Sequence, residues 1–508
     1  MSRHSDVAAF ALCALASSWP LAALAETPFI PQSHPIGQFP AISVQVDLNN
    51  DGIPDLLTTD RTKLTSLLSG SAGSFTIHDF PSAQSAYEPL ASGDFNGDGK
   101  ADVLFYNPNG GSQLYVLAYG DGKGNFTSIK TAPTIPGTVS GQYRSAWATA
   151  FDATGDGRTD ALIAYKSSGK LIVELWKNTG SGLADAGQIY SVTLPTDDVT
   201  RSSSFVQLLL GDYDGDGFAD IALNFTSGLT LLYGNGAGHF TAVPVFANSP
   251  YGGDMNAADM DEDGRTDLVW INEAAEIHLF TGQVNRTLKN RLLAKTLSSA
   301  VVTYRPQLAD FSGNGWKDIG FVLKTPDGTY NPNGLPVGFR VFYQTTPGNY
   351  TLGSYHNVDY FNIAGPGDIP FGDLFTADYN QDGKPDFDLL VSENAYANPR
   401  TSSIELNAGA RGVGSCPTTR TGISVCLPVA VTTTSVPVSF SASAFYPLRK
   451  MEIWVDGVKR SETHHVFGTQ GYADVTLNVS AGTHQIGLYA VGYSHSMLYH
   501  TSVSITAH

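Results

Sequence analysis

The chain of 508 residues carries 29 Lys and Arg against 47 Asp and Glu, a formal net charge of -18, which excludes a nucleic-acid partner because that role needs a basic face. With 42% hydrophobic and 15% charged residues it is too apolar for a disordered acidic protein, and its 53 Gly, 23 Tyr and 26 Phe do not suit a helical bundle. The composition predicts a turn-rich all-β protein, long enough for several domains or for one large repeat domain with an appendage.

At the start, Arg3 and His4 precede an apolar stretch from Val7 to Leu15, and Leu21-Ala22-Ala23-Leu24-Ala25 stands before Glu26. This is the pattern of a secretory signal peptide over residues 1–25, cleaved after Ala25 and taking Cys13 with it. Pro20 interrupts a stretch already too short for a bilayer, and no later apolar run is long enough to cross one. The expectation is an exported protein with no membrane span, secreted, periplasmic or at the cell surface.

Seven nine-residue segments then repeat one pattern: DLNNDGIPD from Asp47, DFNGDGKAD from Asp94, DATGDGRTD from Asp152, DYDGDGFAD from Asp212, DMDEDGRTD from Asp259, DFSGNGWKD from Asp310 and DYNQDGKPD from Asp378. Their starts lie 47, 58, 60, 47, 51 and 68 residues apart, the length of one supersecondary unit. Oxygen-bearing side chains occupy positions 1, 3, 5 and 9, and glycine occupies position 6. A calcium ion asks for about six to eight oxygens around one point, and a chain supplies them from one segment only by turning sharply at a glycine.

With the backbone carbonyl of position 7 added, the candidate ligands of the first loop are Asp47, Asn49, Asp51, Ile53 and Asp55. Those of the second are Asp94, Asn96, Asp98, Lys100 and Asp102, and of the third Asp152, Thr154, Asp156, Arg158 and Asp160. The fourth offers Asp212, Asp214, Asp216, Phe218 and Asp220, and the fifth Asp259, Asp261, Asp263, Arg265 and Asp267. The sixth has Asp310, Ser312, Asn314, Trp316 and Asp318, and the seventh Asp378, Asn380, Asp382, Lys384 and Asp386. The fourth and fifth have four carboxylates each, whereas Thr154, Ser312 and Asn314 make the third and sixth the weaker sets. These positions hold 22 of the 47 acidic residues, so metal sites account for much of the acidity.

The flanks distinguish this loop from an EF-hand, which needs helices on both sides. Short apolar runs follow each loop, such as Val103-Leu-Phe-Tyr106 and Ile221-Ala-Leu-Asn-Phe225, and read as buried strands. A second strand, a turn such as GNGAGHF at Gly234 to Phe240, and a third strand complete four strands per unit with the one entering the next loop. The repeat resembles the FG-GAP or VCBS repeat, the unit of the seven-bladed β-propeller at the head of integrin α chains and of many secreted bacterial proteins. The resemblance covers residues 26–412 and implies an all-β, seven-bladed β-propeller with structural calcium in up to seven loops. The seventh unit lacks its own last strand, so Phe29 to Gly37 is expected to close it.

Residues 413–508 hold no such loop. Short alternating segments, among them Lys450-Met-Glu-Ile-Trp-Val455 and His484-Gln-Ile-Gly-Leu-Tyr-Ala-Val491, read as a β-sandwich and resemble bacterial Ig-like domains. Cys416 and Cys426 read as a disulfide in an oxidising compartment. His464-His465 reads as a hairpin tip. Arg286, Lys289, Arg291 and Lys295 read as a solvated basic face in a segment able to form a helix, and Trp147, Trp176, Trp270 and Trp316 as core.

The chain lacks HExxH, GxSxG and Walker motifs. The leading expectation is a monomeric, non-enzymatic, calcium-stabilised binding or adhesion protein for an extracellular protein or glycan. The alternatives are a lectin or a polysaccharide lyase or hydrolase on a propeller scaffold. In integrin-type propellers partners dock opposite the calcium loops, which places a ligand patch on the insertions Lys324 to Gly338, Ser354 to Phe375 and Ser392 to Ser402. That patch comprises Tyr330, Asn331, Asn333, Tyr355, His356, Asp359, Tyr360 and Tyr396.

Overall fold

Alternation of apolar and polar residues, broken at regular intervals by Asp-Gly turns, leaves the chain little but antiparallel strands to form. The computed structural model describes residues 29–507 apart from 36–41, 60–61, 71–72, 82–83, 85, 108–113, 136–145, 196–205, 227, 248–252, 273–275, 296–304, 324–334, 362–373, 392–400, 408–415, 417, 428–433, 464–465 and 494–496. Residues 1–25, expected as a signal peptide, and His464-His465, Tyr330, Asn331, Asn333 and Tyr396 lie outside the described residues. Among those described there are 36 strands and no α-helix.

Six four-stranded antiparallel sheets follow one another in chain order, over residues 42–79, 88–131, 146–193, 206–247, 253–295 and 307–361. A seventh combines Leu374–Ala377, Asp386–Val391 and Thr401–Asn407 with Phe29–Pro35 from the start of the chain. The pairing runs from Phe29 opposite Asn407 to Pro35 opposite Thr401, so the expected closing strand is in place. It fills what would otherwise be an open edge with unpaired backbone groups.

The first strand of each sheet lies beside the first strand of the next. Gln45, in the first sheet, closes the circuit by donating to the Thr376 carbonyl at 3.2 Å and the Tyr379 hydroxyl at 3.1 Å in the last. One central cavity of about 390 Å³ is accordingly lined by Ser43, Ser92, Thr149, Leu208, Asn256, Gln307 and Thr376, one residue from each of the seven first strands. This is a β-propeller.

Second strands are covered on both faces: Asp102–Tyr106, Asp220–Phe225 and Asp267–Asn272 are buried along their whole length. Their apolar side chains pack between neighbouring sheets, as where Leu104 and Tyr106 meet Ala161, Ile163 and Trp176. Each fully buried Leu or Ile adds about 1.5–3 kcal/mol. The outermost strands are mostly exposed. Thr287–Lys295 is one of them, so the basic segment is a strand and not a helix, held in register by pairing with Glu276–Gln283 and by Lys295 on Glu276 at 3.2 Å. Trp176 and Trp270 are buried, and Trp147 packs partly buried against the core.

The remaining strands form two sheets packed face to face. Val466–Phe467, Gln470–Asn478, Ser435–Ser443 and Gly422–Cys426 make one, and Val458–Thr463, Lys450–Val455, Gly482–Val491 and Met497–Ala507 the other. Val438, Phe440, Met451, Ile453, Ile486 and Leu488 fill the space between them. Cys416 and Cys426 are bonded, with Cα atoms 5.4 Å apart.

Phe29 ties the closing strand to the core, its ring 4.9 Å from Phe339 and 5.4 Å from Phe387. Phe29→Ala is expected to cost about 3 kcal/mol, read as a lower urea midpoint. Ile77→Ala, at an exposed position, should stay within about 0.5 kcal/mol of wild type.

Candidate metal loops

Each loop is built around the carboxylate at position 1. In the second loop Asp94 Oδ1 accepts the amides of Gly97 at 2.7 Å and Asp98 at 3.2 Å, and its Oδ2 that of Gly99 at 2.9 Å. Asn96 accepts the Asp98 amide at 2.8 Å, and Asp98 the Lys100 amide at 3.0 Å. The glycine at position 6 has positive φ in all seven, from 77° at Gly99 to 94° at Gly315. Position 4 is also left-handed, a requirement not read in the sequence: Gly97, Gly155, Gly215 and Gly313 meet it without strain, whereas Asn50, Glu262 and Gln381 adopt φ near 60° with a side chain present.

The position 9 carboxylates Asp55, Asp102, Asp160, Asp220, Asp267, Asp318 and Asp386 are fully buried. One oxygen accepts an amide at the top of the loop and the other an amide where the third strand of the sheet ends. Asp220 takes Tyr213 and Gly234, both at 2.8 Å. Asp267 takes Met260 and Gly282, both at 2.9 Å. Position 9 therefore fastens the loop to the hairpin behind it. Burial pushes these carboxyls up, to about 6 at Asp160, about 7 at Asp102 and about 8 at Asp220. At Asp267, burial and then the nearby Asp261 charge act in the same direction.

The downstream glycine-rich turn packs against the loop. A Cβ at Gly236 would lie 2.4 Å from the ring of Phe218, at position 7. Position 7 cations turn back on position 5: Lys100 on Asp98 at 3.4 Å, Arg158 on Asp156 at 3.1 Å, Lys384 on Asp382 at 2.9 Å, and Arg265 on Asp263. The two weaker sets spend their polar groups internally. Thr154 donates to Asp160 at 3.1 Å, and the Asn314 amide donates to the Gln344 carbonyl at 2.8 Å.

Among the described residues two acidic groups have ligand atoms within 4.8 Å of one another: Asp212, Asp214 and Asp216 in the fourth loop, and Asp259, Asp261 and Asp267 in the fifth. Both sets are all oxygen, the chemistry of a hard cation. In the fifth, Asp261 Oδ1 is buried without a hydrogen-bond partner, so the residues fit a divalent ion there. The fourth has the same carboxylates but different neighbours, since Arg286 Nε lies 2.8 Å from Asp214 and Arg449 Nη2 lies 2.7 Å from Asp212.

Arg449 belongs to the sandwich, which seats itself on the loops. Thr421 donates to Asp47 at 2.6 Å and Tyr472 to Asp378 at 2.5 Å, each a position 1 carboxylate. Gln470 accepts the Asp378 amide at 2.9 Å and donates to the Gly52 carbonyl at 3.2 Å. Tyr446, Arg449, Gly468 and Tyr493 line the central cavity at this end. Partners 92 to 418 residues apart leave no local pattern, and this seam was missed in the sequence.

The expected ligand patch is only partly reached by the described residues. Asn349–Phe361 is one long strand, so Tyr355, His356, Asp359 and Tyr360 stand on it and the segment from Ser354 begins as strand and not as a link. The His356 ring stacks on Phe339 at 5.1 Å, which makes it part of the packing.

A family model of FG-GAP-like repeats matches residues 47–105, 94–163, 152–223 and 212–270. No curated protein matches the chain. Among solved structures, a fungal alcohol oxidase of the AA5 family in complex with copper is similar at 12% identity and TM-score 0.50, over 95% of this chain and 100% of that one. A lectin from Agrocybe aegerita that recognises non-reducing terminal N-acetylglucosamine is similar at 17% identity and TM-score 0.45, over 64% of this chain and 81% of that one. At these identities the likeness concerns the fold.

A carboxyl raised above its unfolded value makes the folded state hold more protons, so stability is greatest below the unfolded value near 3.8 and falls as pH rises through the raised one. In chelator the melting temperature is therefore expected to fall between pH 5 and pH 8, the window set by Asp160, Asp102 and Asp220. A flat or rising profile would contradict the burial of these groups.

Proposed function

Because the chain is an FG-GAP-repeat β-propeller protein, we propose that it is an exported, monomeric, non-enzymatic binding protein, stabilised by calcium, for an extracellular protein or glycan. The observation that carries this reading is the seating of the sandwich on the loop face. Thr421, Arg449 and Tyr472 each reach a position 1 carboxylate, in the first, fourth and seventh loops, which turns those carboxylates into the molecule and suits a structural ion better than a ligand-bridging one. The face at the other end of the channel is then the one available to a partner, as in the integrin-type arrangement.

Calcium would be held by the loop carboxylates and position 7 carbonyls, with the fifth loop the best supported because Asp261 has an unpartnered buried oxygen. The ion supplies positive charge to a cluster that burial otherwise drives toward protonation. The disulfide between Cys416 and Cys426 suits an oxidising compartment. The Ig-like sandwich acts here as the cover of the loop face.

Two measurements test the reading. Calcium should raise the melting temperature and chelator should lower it, because ions that bind only the folded state stabilise it by mass action. Asp261→Asn should reduce that calcium-dependent rise. An array of glycans and extracellular proteins, probed with the full chain, should give a ligand retained in a Val458→Ala variant, at an exposed position of the sandwich. The same ligand should be weakened when Tyr330, Tyr360 and Tyr396 are replaced together by Ala. Catalytic turnover of a polysaccharide would favour the enzyme reading instead.

A further inference from the structure

The fourth and fifth loops carry the same four carboxylates, yet in the fourth two guanidinium groups reach those at positions 1, 3 and 5, while the position 7 arginine of the fifth reaches the one at position 5. Arg449 Nη2 reaches Asp212 Oδ2 at 2.7 Å, and Arg286 reaches Asp214 Oδ2 at 2.8 Å and Asp216 Oδ2 at 3.6 Å. Arg286 is held by the turn before Thr287–Lys295 and lies 5.0 Å over the Tyr233 ring. Arg449 is mostly withdrawn from solvent, and the same Nη2 also donates to the Gly264 carbonyl of the fifth loop at 3.0 Å, so one group spans two loops.

These contacts fall on the three residues whose oxygens converge to within 4.8 Å. A divalent ion placed among those oxygens would share a low-dielectric seam with a cation already bonded to Asp212, and like charges at that range repel strongly. In the fifth loop the position 7 arginine turns to Asp263, the buried Lys317 donates to the Asp259 backbone carbonyl at 3.2 Å, and Asp261 keeps an unpartnered buried oxygen.

We propose that Arg449, with Arg286, is the internal cation of the fourth loop, so that a divalent ion and the seated sandwich compete for Asp212. This rests on the reading that the loops of this protein take calcium. While the sandwich is seated, the fourth loop holds guanidinium and the fifth holds metal, although the two look equal in sequence. The same ion pair makes the fourth loop a latch between propeller and sandwich.

The test is a calcium titration of the full chain by calorimetry, with terbium luminescence as a second reading. The variants are Arg449→Met, Arg286→Met, Arg449→Lys and Asp261→Asn. Arg449→Met and Arg286→Met are expected to gain one ion per chain, or to tighten the weakest site about tenfold or more. Arg449→Lys should behave as wild type, and Asp261→Asn should lose one ion. If Arg449→Met fails to fold, Arg286→Met, at a more exposed pair, decides. Unchanged number and affinity in the arginine variants, with ions bound in wild type, would overturn the competition alone. No ion bound by any form would overturn it together with the calcium reading.

Discussion

Burial of carboxylates is the constraint on which the rest of the structure depends. Seven aspartates at position 9 have no exposed surface, and a buried charge is tolerated only when its oxygens are filled. Here each is filled by at least two backbone amides, with one or more at the top of its loop and one at the end of the hairpin behind it. The same bonds fix where the first strand ends, how the loop turns and where the third strand stops. Sheet geometry and loop geometry are in this way one arrangement.

Neighbouring sheets are joined by a second use of amides. Asn178 donates to the Phe95 carbonyl at 2.7 Å, Gln344 to Met260 at 2.9 Å and Asn407 to Phe311 at 2.9 Å, each reaching from one sheet to position 2 of the loop before it. Thr266, at position 8 of the fifth loop, accepts the Asp212 amide at 2.9 Å in the same sense. Apolar packing between sheets is non-directional, and these bonds add the register it lacks. Closure then depends on Phe29–Pro35, whose distant place in the chain makes the ring a single cooperative object.

The sandwich extends this logic to the face of the propeller. A row of acidic loops is a repulsive surface, and the groups that meet its position 1 carboxylates are donors: the Thr421 and Tyr472 hydroxyls and the Arg449 guanidinium. Gly52 permits the closest approach, since a Cβ there would lie 2.8 Å from the backbone of Arg420. Donors at the sandwich and carboxylates at the loops make the seam complementary in charge, which gives it specificity beyond its area.

Much of this was legible in the sequence because it is local and repeated. The nine-residue pattern gave the loops and the position 6 glycines, alternation gave the strands, the missing strand of the last unit pointed to Phe29 to Gly37, and the spacing of Cys416 and Cys426 gave the disulfide. The equality of the fourth and fifth loops was also a sequence statement, and tertiary structure broke it by bringing Arg286 from 72 residues away and Arg449 from the sandwich. The strand over Thr287–Lys295 and the stacking of His356 were likewise decided by neighbours, through pairing with Glu276–Gln283 and contact with Phe339. Periodicity by itself determined the strand character of most elements, since that follows from contacts within a few residues. Which carboxylates meet a cation from the same chain, and which face of the propeller is covered, depend on contacts between residues far apart in sequence, and only the folded chain settles them.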